Sequence, residues 1–143
     1  MVSLMEATTS LAIEIVVLAL LTIAVALKNR KKFRLHGILM TTSVVLHIIT
    51  ILTVMLPSFS IYLENMSTIV IDASLIIVFI HILLGLIAAG LGILLTASWH
   101  LKTDLQTCFA NKKLMKPTLT IWVVAILLGI YVYIVAWATQ LQL

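Results

Sequence analysis

Charge is scarce in this sequence. Of its 143 residues, 10% are Asp, Glu, Lys or Arg and 63% are hydrophobic; a soluble domain carries about 25% charged residues. So few charges cannot keep a surface in water. Cysteine occurs once, at Cys108, which excludes an internal disulfide and any cysteine-based zinc or iron–sulfur site within one chain. Aromatic residues make up only 7%, so the hydrophobic excess is Leu, Ile, Val and Ala, as expected of a chain solvated by lipid. Metal-protease, phosphate-loop and nucleophile-elbow signatures are all missing, and no cluster of polar residues suggests an enzyme with its own substrate. The length allows one domain, residues 1–143, with no room for a separate catalytic domain.

What is present is four long apolar runs. A helix crosses a ~30 Å hydrocarbon layer with about 20 apolar residues, and Ser10–Leu27, His36–Leu56, Ser74–Trp99 and Leu119–Trp137 qualify. The expected fold is therefore all-α, an integral membrane four-helix bundle. The first run does not read as a signal peptide, because only Glu6 precedes it while basic residues follow it. Pro57 is expected to close the second span, and Pro117 to sit just ahead of the fourth.

The positions of the cations explain the net charge of +4. Lys28, Arg30, Lys31, Lys32 and Arg34 lie between spans one and two, and Lys102, Lys112, Lys113 and Lys116 between spans three and four; these are all nine Lys and Arg. Short loops rich in Lys and Arg stay cytoplasmic, which predicts a cell-membrane protein with both termini and the Pro57–Ala73 loop outside. That outer loop holds Glu64, Asp72 and a glycosylation-type triplet, Asn65-Met66-Ser67. Orientation and lipid headgroups account for the basic turns better than nucleic acid does.

Ionisable side chains at bilayer depth are costly and usually functional, and all four histidines lie in the spans or at their ends. His36 and His47, eleven residues apart, share one face of span two, ~16 Å apart along its axis. His81 and His100 lie on span three, ~28 Å apart and rotated by about 100°. The alternating topology puts His47 and His81 at similar depth in the outer half, and His36 with His100 near the cytoplasmic surface. Facing histidines on separate helices can ligate haem iron from both sides. Gly85, Ala88 and Gly92 lie within about 40° of His81 around the helix, a stripe without bulk beside it. Such stripes also let membrane helices approach closely, and intramembrane histidines also serve as hydrogen-bonding groups between helices. Glu14, near the outer end of span one, is expected to reach the headgroups, with a proton-handling role as the alternative. Trp99 and Trp137 suit interfacial anchoring, whereas Trp122, Gly129 and Tyr133 share a packing face of span four.

Several of these residues form a familiar series: His36-Gly37-Ile38-Leu39-Met40 after a basic turn, His81-Ile82-Leu83-Leu84-Gly85, and Asn111-Lys112-Lys113-Leu114 followed by Thr118-Leu119-Thr120-Ile121-Trp122, Gly129 and Tyr133. Their order and spacing, over residues 25 to 137, resemble a small bacterial and archaeal membrane family, number 420 of the domains of unknown function. The resemblance implies a four-helix bundle and a link to respiratory haem proteins, since some members act in the maturation of haem a-type cytochrome oxidases. His36 and His81 match family histidines. Asn111 stands where the family usually has another, and His47 and His100 depart from its pattern. The His36–Met40 segment also looks like a motif of ascorbate-reducible transmembrane cytochromes b.

The expectation drawn from these features is a b-type haem protein for transmembrane electron transfer, with one or two haems. His47 with His81, and His36 with His100, are the candidate iron ligands, and Gly85 and Gly92 the cofactor contacts. A quinol, a respiratory oxidase complex or a second copy of the chain are the partners it could meet in the lipid bilayer. The alternatives are an assembly factor for a haem–copper oxidase and a haem-free accessory subunit of a membrane complex.

Overall fold

A computed structural model describes the backbone of residues 4–64, 73–101 and 111–138, and side chains within 5–60, 75–99 and 111–135. Helix α1 spans Leu4–Asn29 and α2 Phe33–Thr50; one π-helical turn, Ile51–Met55, joins α2 to α3, Leu56–Glu64. Helix α4 covers Ala73–Leu101 and α5 covers Lys112–Ala138. Four stretches are long and apolar enough to cross a membrane: Met5–Asn29, Phe33–Ser60, Leu75–Trp99 and Lys112–Val135. The hairpins α1–α2 and α4–α5 pack most extensively, and contacts of α2 with α4 and of α1 with α5 close a four-helix ring. The chain alternates in direction around this ring, so the basic turn after α1 and the start of α5 share one end.

Burial follows the helical period. Glu14, Val17, Leu21 and Ala24 face inward from α1, and His36, Ser43, His47 and Thr50 from α2. Leu83, Leu94 and Ile134, by contrast, are more than half exposed, which suits a bundle whose solvent is hydrocarbon. Lipid tails are as apolar as leucine, so helices there associate through close packing and hydrogen bonds. Small inward residues permit that approach. Val17, Leu21, Val44, Ala88, Trp122 and Ile126 form the central apolar cluster. Ser43, Thr50 and Thr118 are buried, yet each hydroxyl donates to the carbonyl four residues earlier in its own helix, so none needs an external partner.

The prolines and the first turn differ from the sequence expectations in detail. Pro57 does not end the second span, which runs on through the π turn to Ser60. The wider turn immediately before Pro57 relaxes the hydrogen-bond ladder where the ring would clash, and Ser58 Oγ donates to the Val54 carbonyl. Pro117 lies inside α5 rather than at its start. The α1–α2 turn closes α1 with two capping bonds, Lys31 N–H to Lys28 and Lys32 N–H to Leu27. This Schellman pattern places Lys31 in the left-handed region, φ 60, a position usually given to glycine.

Candidate functional site

Three of the four histidines have described side chains, and each reaches an adjacent helix. His36 Nδ1 donates to the Ala24 carbonyl across the first hairpin, at 2.8 Å. His81 Nδ1 donates to the Ala125 carbonyl across the second, also at 2.8 Å. A carbonyl only accepts, so both rings, when neutral, carry hydrogen on Nδ1 and a lone pair on Nε2. Gly129, one helical turn beyond Ala125, is why the His81 ring can lie so close. A Cβ there would stand 2.8 Å from its Cε1.

His47 is placed differently. It is buried in the core, its ring centroid 5.3 Å from that of Trp122. Nδ1 lies 3.1 Å from Glu14 Oε1 and Nε2 lies 3.4 Å from the Gly85 carbonyl. Glu14 therefore does not reach the headgroups: only 7% of it is exposed, and its other oxygen, Oε2, is buried without a hydrogen-bond partner. The reason is depth. Helix α1 starts at Leu4, so Glu14 sits ten residues, or ~15 Å, inside it.

This arrangement does not fit the outer haem expected between His47 and His81. Both nitrogens of His47 face acceptor groups, so no lone pair is presented outward. Gly85 contacts the imidazole instead of lining an open groove; a Cβ on it would lie 3.9 Å from Nε2. Gly92, two turns on, is filled by Val44 and Trp122. The small stripe thus serves the approach of α2 to α4, and His81 is engaged with α5. Among the described residues, no group of three or more His, Cys, Asp or Glu could hold a metal ion.

The basic end is more open. A small cleft, with about 50 Å³ of enclosed space, lies among α2, α4 and α5, with His36, Met40, Gly92, Trp99 and Met115 in its lining. Trp99 is not simply an interfacial anchor. Its indole lies over Gly37, where a Cβ would stand 2.5 Å from the ring, and it forms one wall of the cleft. Asn111 donates to Ser98 Oγ and also borders the cleft. His100 belongs to the last turn of α4, its side chain outside the described residues, as are Cys108, the Asn65-Met66-Ser67 triplet and the Trp137 side chain.

His36 thus combines three features of a metal-binding imidazole: a fixed tautomer, a ring held by a backbone carbonyl, and a cleft alongside. Carbonyl bonding of the second nitrogen is the usual means of orienting such a ligand. Among the histidines with described side chains, only His36 lines this cleft. Comparison with known proteins returns no matching family model, no similar curated protein and no similar solved structure.

Proposed function

We propose that the chain is a cell-membrane protein that binds a b-type haem at its basic, cytoplasmic end and takes part in respiratory electron transfer. The observation that carries this reading is His36: its Nδ1–H is committed to Ala24, and its ring borders a cleft at the basic end of the bundle. When bound, a haem supplies one-electron chemistry. The residues of this chain hold and shape the site. His36 offers Nε2, Ala24 fixes the tautomer, and Gly37 lets the Trp99 indole lie against α2 as a wall of the cleft. Met40 and Met115 bring thioethers to the same cleft, either of which could join His36 in holding a haem iron. His100 is the sequence-based candidate for a second residue that would hold the iron. A quinol is a fitting electron donor, since it would enter from the lipid.

The orientation rests on all nine Lys and Arg lying between spans one and two or between spans three and four. It predicts that a membrane-impermeant thiol reagent labels Cys108 in inverted vesicles but not in intact cells.

One observation favours the haem-free reading. His36, His47 and His81 each bond to a neighbouring helix, so all three also work as interhelical ties. The test is a visible spectrum of the purified protein, expressed with ample haem, with haem quantified per chain. The expected result is a Soret band that His36→Ala abolishes while His81→Ala retains it. No Soret band in the parent chain refutes haem binding. A band indifferent to His36→Ala refutes the site.

A further inference from the structure

The pair Glu14–His47 has no part in the haem reading, and its geometry constrains how many protons it holds. Gly85 presents a carbonyl oxygen to Nε2, which must therefore carry hydrogen for the contact to attract. Glu14 presents a carboxyl oxygen to Nδ1, and that line also needs a proton, on one atom or the other. Both contacts are satisfied only with two protons on the pair. These two forms, imidazolium with carboxylate and imidazole with carboxylic acid, both have zero net charge. Removing one proton leaves a charge of −1 and sets lone pair against lone pair at either Gly85 or Glu14. Glu14 Oε2, buried with no partner, adds to the cost of that charge, because an unpaired ion in a dry interior is strongly disfavoured.

The surroundings show which end this site faces. His81 lies one turn from Gly85 on α4, its ring turned to the Ala125 carbonyl of α5. Farther out, Tyr133 of α5 bonds to Thr8 of α1 at 3.0 Å, one turn beyond the Gly129 that carries the His81 ring. In the opposite direction Val17, Leu21, Val44, Ala88, Trp122 and Ile126 pack into the apolar cluster, with His36 and the basic turns beyond it. Ser43, on that side, already spends its hydroxyl on Leu39.

We infer that Glu14, His47 and the Gly85 carbonyl form a proton-binding site within the membrane, loaded from the end of the bundle where Thr8 and Tyr133 lie. Loading is a simple addition: one proton from that side joins the singly protonated, negatively charged pair and gives the doubly protonated, neutral one. No electron moves. The site stands independently of the haem reading.

The test uses the full-length protein in lipid nanodiscs, with ¹⁵N-labelled histidine and ¹³C-carboxyl-labelled glutamate, read by NMR at neutral pH. Glu14→Gln and His47→Gln assign the signals. The expected count is two protons over His47 and Glu14, with Nε2 protonated. A count of one, either as Nδ1–H with a bare Nε2 or as Nε2–H facing an ionised Glu14, overturns the site. Glu14→Gln should keep Nε2–H and leave Nδ1 unprotonated, accepting from the amide. Transfer to deuterated buffer tests the loading route. Exchange of the Nε2 hydrogen is expected to slow at least ten-fold in His81→Phe and not in His36→Ala. Equal slowing in both, or slowing in His36→Ala alone, overturns the assignment of the side.

Discussion

Replacing Gly129 by alanine tests whether the His81 ring is seated as described. The added Cβ would stand 2.8 Å from Cε1 and 3.4 Å from each ring nitrogen. Carbon atoms pack at about 3.5–4.0 Å, so the ring has to retreat by roughly 0.7 Å or more. Retreat stretches the 2.8 Å bond to Ala125 toward the limit of hydrogen-bond geometry. Overpacking costs about 1–3 kcal/mol, and a hydrogen bond between membrane helices contributes about 0.6–1.7 kcal/mol. Alanine recovers up to about 1 kcal/mol of helix propensity. Gly90→Ala supplies the control, because nothing lies within 4 Å of its added Cβ and the propensity gain is common to both. The two variants should therefore differ by about 2–4 kcal/mol in reversible unfolding from mixed micelles titrated with dodecyl sulfate. In a His81→Ala background the penalty of Gly129→Ala should vanish, since coupled residues do not add. A Gly129→Ala protein as stable as Gly90→Ala, or a penalty that persists without the imidazole, refutes the packing of α4 on α5 through this histidine.

Lys31→Gly should raise stability by about 1 kcal/mol in the same assay, because a side chain in the left-handed region is strained and glycine is not. Gly37→Ala drives a methyl into the Trp99 indole and should lower haem per chain, read from the Soret absorbance, while Gly90→Ala leaves it unchanged.

Span number, approximate boundaries and the relative depths of the histidines could all be read from the sequence, because length and hydropathy alone fix them. His47 does meet α4 one turn from His81, as the antiparallel register requires. What each imidazole touches was not legible, because rotation about a helix axis leaves the choice of neighbour open. His36 bonds to α1 and His81 to α5, each to an ordinary alanine carbonyl that no residue pattern marks. Glu14 falls near the outer end only if depth runs from Ser10, where the apolar run starts, whereas the helix starts at Leu4. The same early start moves α5 back to Lys112 and puts Pro117 inside it.

The error over Glu14 changes the chemistry as well as the position. A carboxyl at the headgroups leaves His47 an isolated imidazole in lipid, for which a metal is the natural occupant. A carboxyl beside it in the core gives that imidazole an oppositely charged or hydrogen-bonded partner, and a neutral pair is tolerable where one ion is not. The bundle then divides its histidines by partner chemistry. His36, tied to a carbonyl and bordering a cleft, keeps a lone pair available for a ligand. His47, between a carboxyl and a carbonyl, keeps a proton. Glu14→Ala separates these roles: Nδ1 of His47 loses the partner that shares its second proton, while His36 lies three turns away along α2, toward the basic turn, and keeps its bond to Ala24. Haem content should therefore survive in the fraction of Glu14→Ala that folds, even where the cost of breaking the buried pair, about 3–5 kcal/mol, reduces that fraction sharply.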